Sequence, residues 1–590
     1  MPSFIAQSTN KQTLFFLFNY LSIHLLFSPV LLAQDLPPTT PTIETIGAFS
    51  YIIPFDEEKQ SVNQTNAITS IDFYGFNLKT YGLLYRLLDN GIPLKWVIRS
   101  GKNKEEADFT AAAQQIFPTT GAANTYNFVS SAFIIAIDDV QTSSNCEPNG
   151  DLFNFIDNII TDFGQQVSVY ELLADTDMDV RYNLSYPPTI AVLNDGFSAY
   201  VHETVLDDAG LPYSALSSNT FFNNYSCYTF ISQPHLEFIS NNDYINSVQN
   251  FINDGGNFFA QCVAITTFEN DGFFHTDDGL DGNFNENNNS YTYDYNDMAF
   301  LQFEGELAPG IHGSLSQYEL DNGSDWLNNS YVGITNQSDE IIASSADWNG
   351  NTPGGNVFYL AGHDFEGIDI ADAWPPPYPP ALPSQFPLNQ QHKRLYLNAA
   401  FIPANISFAC VGNDACICSG ETTTIGCSDA SDDINYTWLP TTGLSCSDCP
   451  NPEASPTSTT TYTLTTNNNC STASITVYVE NIAPTASISG GGNLPCDNII
   501  TDTDIYFDFT GATPFTFSYA IDGIIIDTLT TTSNSYTLTT TIPGNYTLIN
   551  LYDNSLGACE ASISGSAIVS ASGSFTIDLG PDTLLCEGDT

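Results

Sequence analysis

The chain has 590 residues, of which 42% are hydrophobic, including 40 Phe and 30 Tyr. That is enough apolar bulk for several cores at about 150 residues per domain, and it excludes global disorder. Only 13% of residues are charged, and 67 acidic against 11 basic side chains leave a formal charge of −56, a field that repels phosphate backbones and anionic bilayers, excludes nucleic acid as a partner, and attracts divalent cations.

An apolar run from Leu14 to Ala33 follows Lys11 and ends at the polar pair Gln34-Asp35. Residues 1–33 therefore read as a secretory signal peptide removed before Gln34, with an uncleaved anchor helix as the alternative. No other stretch is long enough to span a bilayer, so no membrane span is expected after signal removal. Cysteine usage agrees with export. Cys146, Cys227 and Cys262 precede residue 405, whereas the other ten of the 13 fall between residues 410 and 586, the density of small domains cross-linked in an oxidising compartment. All 11 Lys and Arg lie at or before Arg394, and the last His is His392. Chemistry that needs an imidazole belongs upstream of that point.

Residues 45–185 alternate short apolar runs (FSYIIP, PLKWVIRS, SAFIIAID, QVSVYEL) with helix-like segments (FNLKTYGLLYRLLDNG, LFNFIDNIITDFG). Leu83, Leu84, Leu87 and Leu88 recur at helical spacing, and Gly91 and Pro93 stop that helix. Strands alternating with helices predict an α/β segment with a parallel sheet covered on both faces. A second α/β series over residues 186–405 has strands at IAVLND, CYTFIS, NFFAQC and VFYLAG, with helices through ETVLDDAG, YINSVQNFINDGG and RLYLNAAFI. An irregular insert rich in Asp, Asn and Gly occupies residues 269–297, and the Pro-rich run at 374–380 looks like a boundary.

After residue 405 the texture changes to Thr-rich alternation such as TTTYTLTT, ASITVYV and NYTLINLY, the signature of β-sandwich strands. Gly412-Asn413-Asp414 with Cys418-Ser419-Gly420-Glu421-Thr422 aligns without a gap on Gly580-Pro581-Asp582 with Cys586-Glu587-Gly588-Asp589-Thr590. The expectation is one repeat at 406–481, a second at 482–572, and at 576–590 the start of a truncated third. Each repeat holds one Cys near its start and one near its end, so Cys418 is expected to pair with Cys470 and Cys496 with Cys559, with a local bridge between Cys446 and Cys449. A Cys₄ zinc site from Cys416, Cys418, Cys446 and Cys449 is the alternative.

The segment YTWLPTTGLSCSDCPNPEASPTSTTTYTLT at residues 436–465 resembles the immunoglobulin-like, PKD-like repeats of gliding-motility-associated bacterial surface proteins, and DLGPDTLLCEGDT at 578–590 has the same look. This resemblance implies export by the type IX secretion pathway and attachment at the cell surface. Residues 186–405 resemble the class I glutamine amidotransferase-like fold, in its ThuA-like branch, through IAVLNDGF, VLDDAGLPYSAL, FINDGGNFFAQCVAI, VFYLAGHDF and RLYLNAAF. That fold places a Cys on a sharp strand-to-helix turn between small residues, and Ala260-Gln261-Cys262-Val263-Ala264 has this form with Ala in place of Gly.

The family's downstream His-x-Glu is absent. Gly362-His363-Asp364-Phe365-Glu366 puts Glu at the third position, while His235-Leu236-Glu237 has the right spacing but precedes the Cys. Asp195, His235, Cys262 and His363 each follow a predicted strand and are expected to face one crevice, with Glu237 and Glu366 beside them. A buried Cys after a strand is more often a small hydrophobe than a nucleophile, and the plain reading of His363 is a helix cap or a bond to a backbone carbonyl. Asp277, Asp278 and Asp281 form a weak calcium-loop candidate, against a solvated anionic loop as the plain reading. No cofactor beyond calcium is expected. The sequence thus predicts an exported cell-surface protein whose amidotransferase-like, non-catalytic head is displayed on adhesion-type repeats and recognises a surface ligand or carbohydrate. The alternative is a secreted hydrolase or amidase with Cys262 as nucleophile, His363 as base and His235 as the fallback base.

Overall fold

The computed structural model describes residues 41–65, 72–137, 139, 152–164, 166–194, 199–217, 225–235, 242–270, 272, 274–283, 290–307, 317–347, 354–362, 390–406, 411, 414–426, 436–466, 472–480, 483–495, 502–553, 559 and 561–572. The first ten strands are β1 (Ile43–Ile46), β2 (Tyr51–Pro54), β3 (Ser61–Thr65), β4 (Asp72–Phe76), β5 (Leu94–Val97), β6 (Ala107–Phe117), β7 (Asn124–Val129), β8 (Ala132–Ile135), β9 (Val169–Leu172) and β10 (Thr176–Leu184). Helices α1 (Glu57–Gln60), α2 (Lys79–Asp89) and α3 (Leu152–Phe163) lie among them. Apart from the β3-β4 hairpin they form one sheet in the order β1-β10-β5-β8-β2-β9-β6-β7.

Every neighbouring pair in that sheet is antiparallel, which corrects the parallel sheet predicted for residues 45–185. Continuous apolar runs suggest parallel strands because both faces are buried, but here two separate cores do the burying. Tyr51, Ile53, Leu94, Trp96, Phe133 and Ile135 face the helices, while Ile52, Val97, Ala132 and Ile134 face a second core closed by the sheet's own curl, where β6 lies against β10. The strands that flank the apolar ones, β10 on one side and β6 and β7 on the other, are richer in polar residues and carry no apolar run.

The second sheet contains β11 (Ile190–Leu193), β12 (Ser214–Leu216), β13 (Phe230–Gln233), β14 (Asn257–Gln261), β15 (Leu280–Asn283), β16 (Tyr291–Tyr293), β17 (Gln317–Leu320), β18 (Ser330–Asn336), β19 (Ile341–Asp347) and β20 (Asn356–Leu360). Its order is β12-β11-β13-β14-β20-β19-β17-β15, with β16 and β18 paired alongside. The five strands from β12 to β20 are mutually parallel, so the ends of β11, β13, β14 and β20 open along one edge. From β20 outward the pairing is antiparallel, and part of the Asp- and Asn-rich insert forms this extension through β15 and β16. Helices α4 (Ala199–Ala209), α5 (Asn242–Asn253), α6 (Ala264–Phe268) and α7 (Gln390–Phe401) pack on the sheet. One continuous core runs from Tyr51 to Ile406, and polar bonds cross it: Tyr81 Oη donates to Asn398 Oδ1 at 2.6 Å, and Arg394 Nη2 donates to the Phe55 carbonyl at 2.7 Å.

Beyond residue 411 the chain forms two β-sandwiches. In the first, strands at 415–418, 472–480, 460–466 and 436–439 face the pair 423–424 and 453–454 across a core of Ile417, Trp438, Tyr462, Leu464 and Val477. Trp438 Nε1 donates to the Cys449 carbonyl at 3.0 Å, tying the Cys446–Cys449 disulfide loop to that core. In the second, the strand Thr485–Pro495 pairs with 503–510 up to Gly490 and with 567–572 from Gly491 on, so one strand serves both sheets. Gly490 and Gly491 have φ of 93° and 83°, the left-handed geometry that lets the strand turn between sheets. A Cβ at Gly491 would stand 2.4 Å from the Ile568 carbonyl oxygen. Gly491→Ala should therefore lower the stability of this sandwich by at least about 1 to 3 kcal/mol, and an unchanged denaturation midpoint would refute the account of the turn.

The expected disulfides are corrected in part. Cys418 pairs with Cys559, across 141 residues and with Cα atoms 4.8 Å apart, not with Cys470, so neither Cys418–Cys470 nor Cys496–Cys559 forms. Cys470 and Cys496 lie outside the described residues. Cys416 is also disulfide-bonded, as are Cys446 and Cys449, so no Cys₄ zinc site is left among them. The pairing joins the two sandwiches because both cysteines meet at the inter-repeat junction: Glu480, in register with Cys418, accepts the Ser419 N–H on its carbonyl and the Cys559 N–H on its carboxylate, each at 2.8 Å.

Candidate functional site

The parallel strand ends position the residues singled out in the sequence. Strand β14 stops at Gln261, Cys262 takes a φ of 55°, and α6 begins two residues later. The Cys262 N–H donates to the Leu360 carbonyl at 3.1 Å, and the Cys262 carbonyl accepts from Ile265 at 3.0 Å. Left-handed backbone in a residue with a Cβ costs on the order of 1 to 2 kcal/mol, so the turn is held by its surroundings. Its flanks Ala260 and Ala264 and Cys262 itself are all 0% exposed. Cys262 is in no disulfide and belongs to the hydrophobic core.

His235 follows β13 and is buried, with its carbonyl accepting from Gln233 Nε2 at 3.3 Å. His363, Asp195, Glu237 and Glu366 lie outside the described residues. Gly362, the last described residue before His363, has a φ of 70°, and its carbonyl accepts from Gln261 Nε2 at 2.5 Å. The residue before Cys262 thus grips the residue before His363.

Sequence reasoning missed His202. It projects from α4 with Val205, Leu206 and Ala209 on the same buried stripe, and that i, i+3, i+4 spacing with apolar residues was the available signal. Its Nε2 lies 2.7 Å from Gln261 Oε1 and its Nδ1 3.0 Å from Ser232 Oγ, which is 3.0 Å from Tyr396 Oη. Because Gln261 spends its Nε2 on Gly362, its Oε1 accepts and His202 Nε2 carries the proton. Ser232 then donates to His202 Nδ1 and accepts from Tyr396, whose proton burial holds firmly. This chain pins the ends of β13, β14 and β20 together.

A second network, equally unforeseen, anchors the insert to the sheet. The buried Glu269 carboxylate accepts from the N–H groups of Phe274, His275 and Thr276, from the Thr276 hydroxyl at 3.0 Å and from Tyr359 Oη at 2.8 Å. His275 stacks on Tyr359 with ring centroids 4.0 Å apart, and its Nδ1 lies 2.9 Å from Ser344 Oγ. Burial pushes the His275 imidazole down to about 3, so it is neutral near pH 7. A carboxylate with this many donors is a structural clamp rather than a base.

The calcium-loop residues are engaged locally. Asp277 Oδ1 accepts the Asp325 N–H at 2.7 Å, the Asp278 N–H donates to Ser324 Oγ at 3.2 Å, and Asp281 faces Asp321, which raises its carboxyl above the usual range. Among the described residues no group of three or more His, Cys, Asp or Glu side chains is placed to hold a metal ion, and no helix is long and apolar enough to cross a membrane.

No known family model and no curated protein matches this chain. Among solved structures, a three-domain immunoglobulin segment of titin is similar at 15% identity and TM-score 0.21, over 28% of this chain and 64% of that one. A cytoplasmic protein of Salmonella typhimurium is similar at 9% identity and TM-score 0.24, over 37% of this chain and 99% of that one. A GH42 β-galactosidase of G. stearothermophilus is similar at 10% identity and TM-score 0.23, over 66% of this chain and 43% of that one. Likenesses this distant carry no argument about chemistry, and the two sandwiches stand on their own strand pairing.

Proposed function

We propose that this chain is an exported cell-surface protein in which a non-catalytic recognition head, residues 45–405, is displayed on adhesion-type immunoglobulin-like repeats of the kind the gliding-motility-associated proteins carry. Surface ligands and the type IX export and attachment machinery are its partners in this reading, and calcium is its one candidate cofactor. The observation that carries it is the burial of Cys262. The head's single candidate nucleophile is 0% exposed in the hydrophobic core, whereas a reactive thiol needs solvent access and an electropositive neighbour. The Cys418–Cys559 bridge between sandwiches suits an oxidising exterior and a stiff display.

A second reading, a secreted hydrolase or amidase using Cys262 with His363 or His235, is favoured by the φ of 55° at the strand-to-helix turn, since strained backbone concentrates at functional sites. Iodoacetamide separates the two. The native protein at pH 7 should remain unlabelled at Cys262 and become labelled only after denaturation. Rapid native labelling, lost in His363→Ala or His235→Ala, would instead establish the hydrolase and end the recognition-only reading.

A further inference from the structure

The first sandwich carries a cysteine pair that the recognition reading does not use. Cys446 and Cys449 are bridged across a sequence separation of 3, in the loop between the strands at 436–439 and 453–454. Hydrogen bonds that do not involve the bridge hold this loop in place. The Trp438 N–H donates to the Ser447 carbonyl at 2.9 Å, and Trp438 Nε1 donates to the Cys449 carbonyl at 3.0 Å. Ser445 and Glu453 bond each other twice: the Ser445 N–H donates to the Glu453 carbonyl at 2.9 Å and the Glu453 N–H to Ser445 Oγ at 2.8 Å. Opening the S–S bond therefore leaves both sulfurs on one anchored loop, positioned to close again.

The two bridges of the sandwiches differ in access. Cys446 and Cys449 are both half-buried beside the exposed Ser445 and Asp448, whereas Cys559 is 4% exposed and its bridge to Cys418 is built into the inter-repeat junction. A disulfide opens when a thiolate attacks one sulfur and expels the other, so access to the first and stability of the second as a thiolate set the rate. Ser445 acts on the leaving sulfur. Its Oγ lies 3.8 Å from Cys446 Sγ and already accepts the Glu453 N–H, which leaves its own hydrogen to donate to that sulfur. The charged side chains within residues 436–466 are Asp448 and Glu453, and no Lys, Arg or His follows Arg394. A hydroxyl thus takes the place of the cation or helix N-terminus that activates most exchanging cysteines.

We propose that Cys446–Cys449 is a thiol-exchange site whose co-reactant is a low-molecular-weight thiol. The thiolate attacks Cys449 Sγ, the S–S bond breaks, and its electron pair leaves on Cys446 Sγ, where the Ser445 hydroxyl stabilises it. Cys449 then carries a mixed disulfide. A second thiolate attacks the small molecule's sulfur in that mixed disulfide, releases the oxidised small disulfide and leaves Cys449 as thiolate. The protons of the two consumed thiols end on Cys446 and Cys449, so two electrons have passed to the bridge. With the loop still anchored through Trp438 and Glu453, an oxidised small disulfide restores the bridge by the reverse steps. The site lies outside the head and does not depend on what the head recognises.

Timed exposure of the full chain to reduced glutathione, with acid quenching and peptide mass mapping, tests it. Glutathione should be trapped on Cys449 and not on Cys446, and this bridge should open at least about tenfold faster than Cys418–Cys559. Circular dichroism of the chain should be unchanged by the opening, and oxidised glutathione should re-form the bridge. Ser445→Ala should slow the opening roughly threefold by removing the donor to the leaving thiolate, and Ser445→Thr, which keeps the hydroxyl, should restore it. Equal opening of the two bridges, glutathione on Cys446, or an unchanged rate in Ser445→Ala would each overturn the proposal. So would loss of the β-sandwich signal when only Cys446–Cys449 has opened, because the loop would then depend on its bridge.

Discussion

Between pH 6 and pH 5 two buried imidazoles and a buried carboxyl should push the stability in opposite directions, and single substitutions should separate them. Burial pushes both His275 and His392 down to about 3 from an ordinary value of 6.5. The unfolded chain therefore binds two protons that the native state refuses, and the stability these imidazoles provide, complete above pH 6.5, drains as pH falls towards 3. Glu304 works the other way. Its folded value near 7 exceeds its ordinary 4.5, so the native state holds a proton that the unfolded chain has lost, and acidification from pH 7 to 4.5 restores stability. Asp56 and Glu57, whose carboxyls burial also raises, act on the same side as Glu304.

The groups facing His275 include Tyr359 on its ring, Ser344 at Nδ1, Trp326 at 6.4 Å, Glu269 on its backbone N–H and the Val357 backbone, which favours the imidazole's charged form. As pH is stepped down through this window, guanidinium denaturation should show His275→Gln losing less stability than the wild type, and Glu304→Gln losing more. A His275→Gln profile parallel to the wild type would show that the imidazole is already charged in the fold.

Replacing Cys418 and Cys559 together by Ala should free the two sandwiches to hinge and lower their stability by about 5 kcal/mol, the chain-entropy value for a loop of this length. The bridge spans 141 residues and closes at the point where Glu480 already binds the backbone of Ser419 and Cys559. Small-angle scattering of the double variant should show a broader distribution of overall lengths, and the second sandwich should unfold at lower denaturant. Unchanged scattering and an unchanged midpoint would mean that the Glu480 contacts alone hold the junction. The Cys446–Cys449 loop encloses three residues' separation, so its removal should matter far less to global stability.

The strands of the parallel sheet were legible because each is a short, fully buried apolar run bounded by turn residues. IAVL, NFFAQ and NVFYL contain the cores of β11, β14 and β20, and the spacing of Ile245, Val248, Phe251 and Ile252 announced α5. What periodicity could not supply was direction. FSYIIP and SAFIIAID are buried on both sides and looked parallel, but they are neighbours in an antiparallel sheet completed by β6, whose ADFTAAAQQIF sequence has no apolar run. At the site, the turn at Cys262 was legible from small residues around a Cys after a strand. His202, Glu269 and Arg394 were not, because a polar residue on an apolar stripe reads as a boundary until the partner it meets, 59 residues away for His202 and Gln261, is known. The disulfide was missed for a related reason: pairing within a repeat is the simplest arrangement, and only the junction geometry brings Cys418 to Cys559.

Helix α7 lies at the centre of the head rather than on its outside: all of its residues but Gln391 are buried, and it bonds to Phe55 at one end of the chain's fold and, through Asn398, to Tyr81. The head's last helix is thus also its keystone. Until residue 401 has been made, Tyr81 lacks its ring contact with Phe401, and Phe230 and Phe259 lack theirs with Tyr396. The core shared by the two sheets is therefore completed only once this helix is available to both.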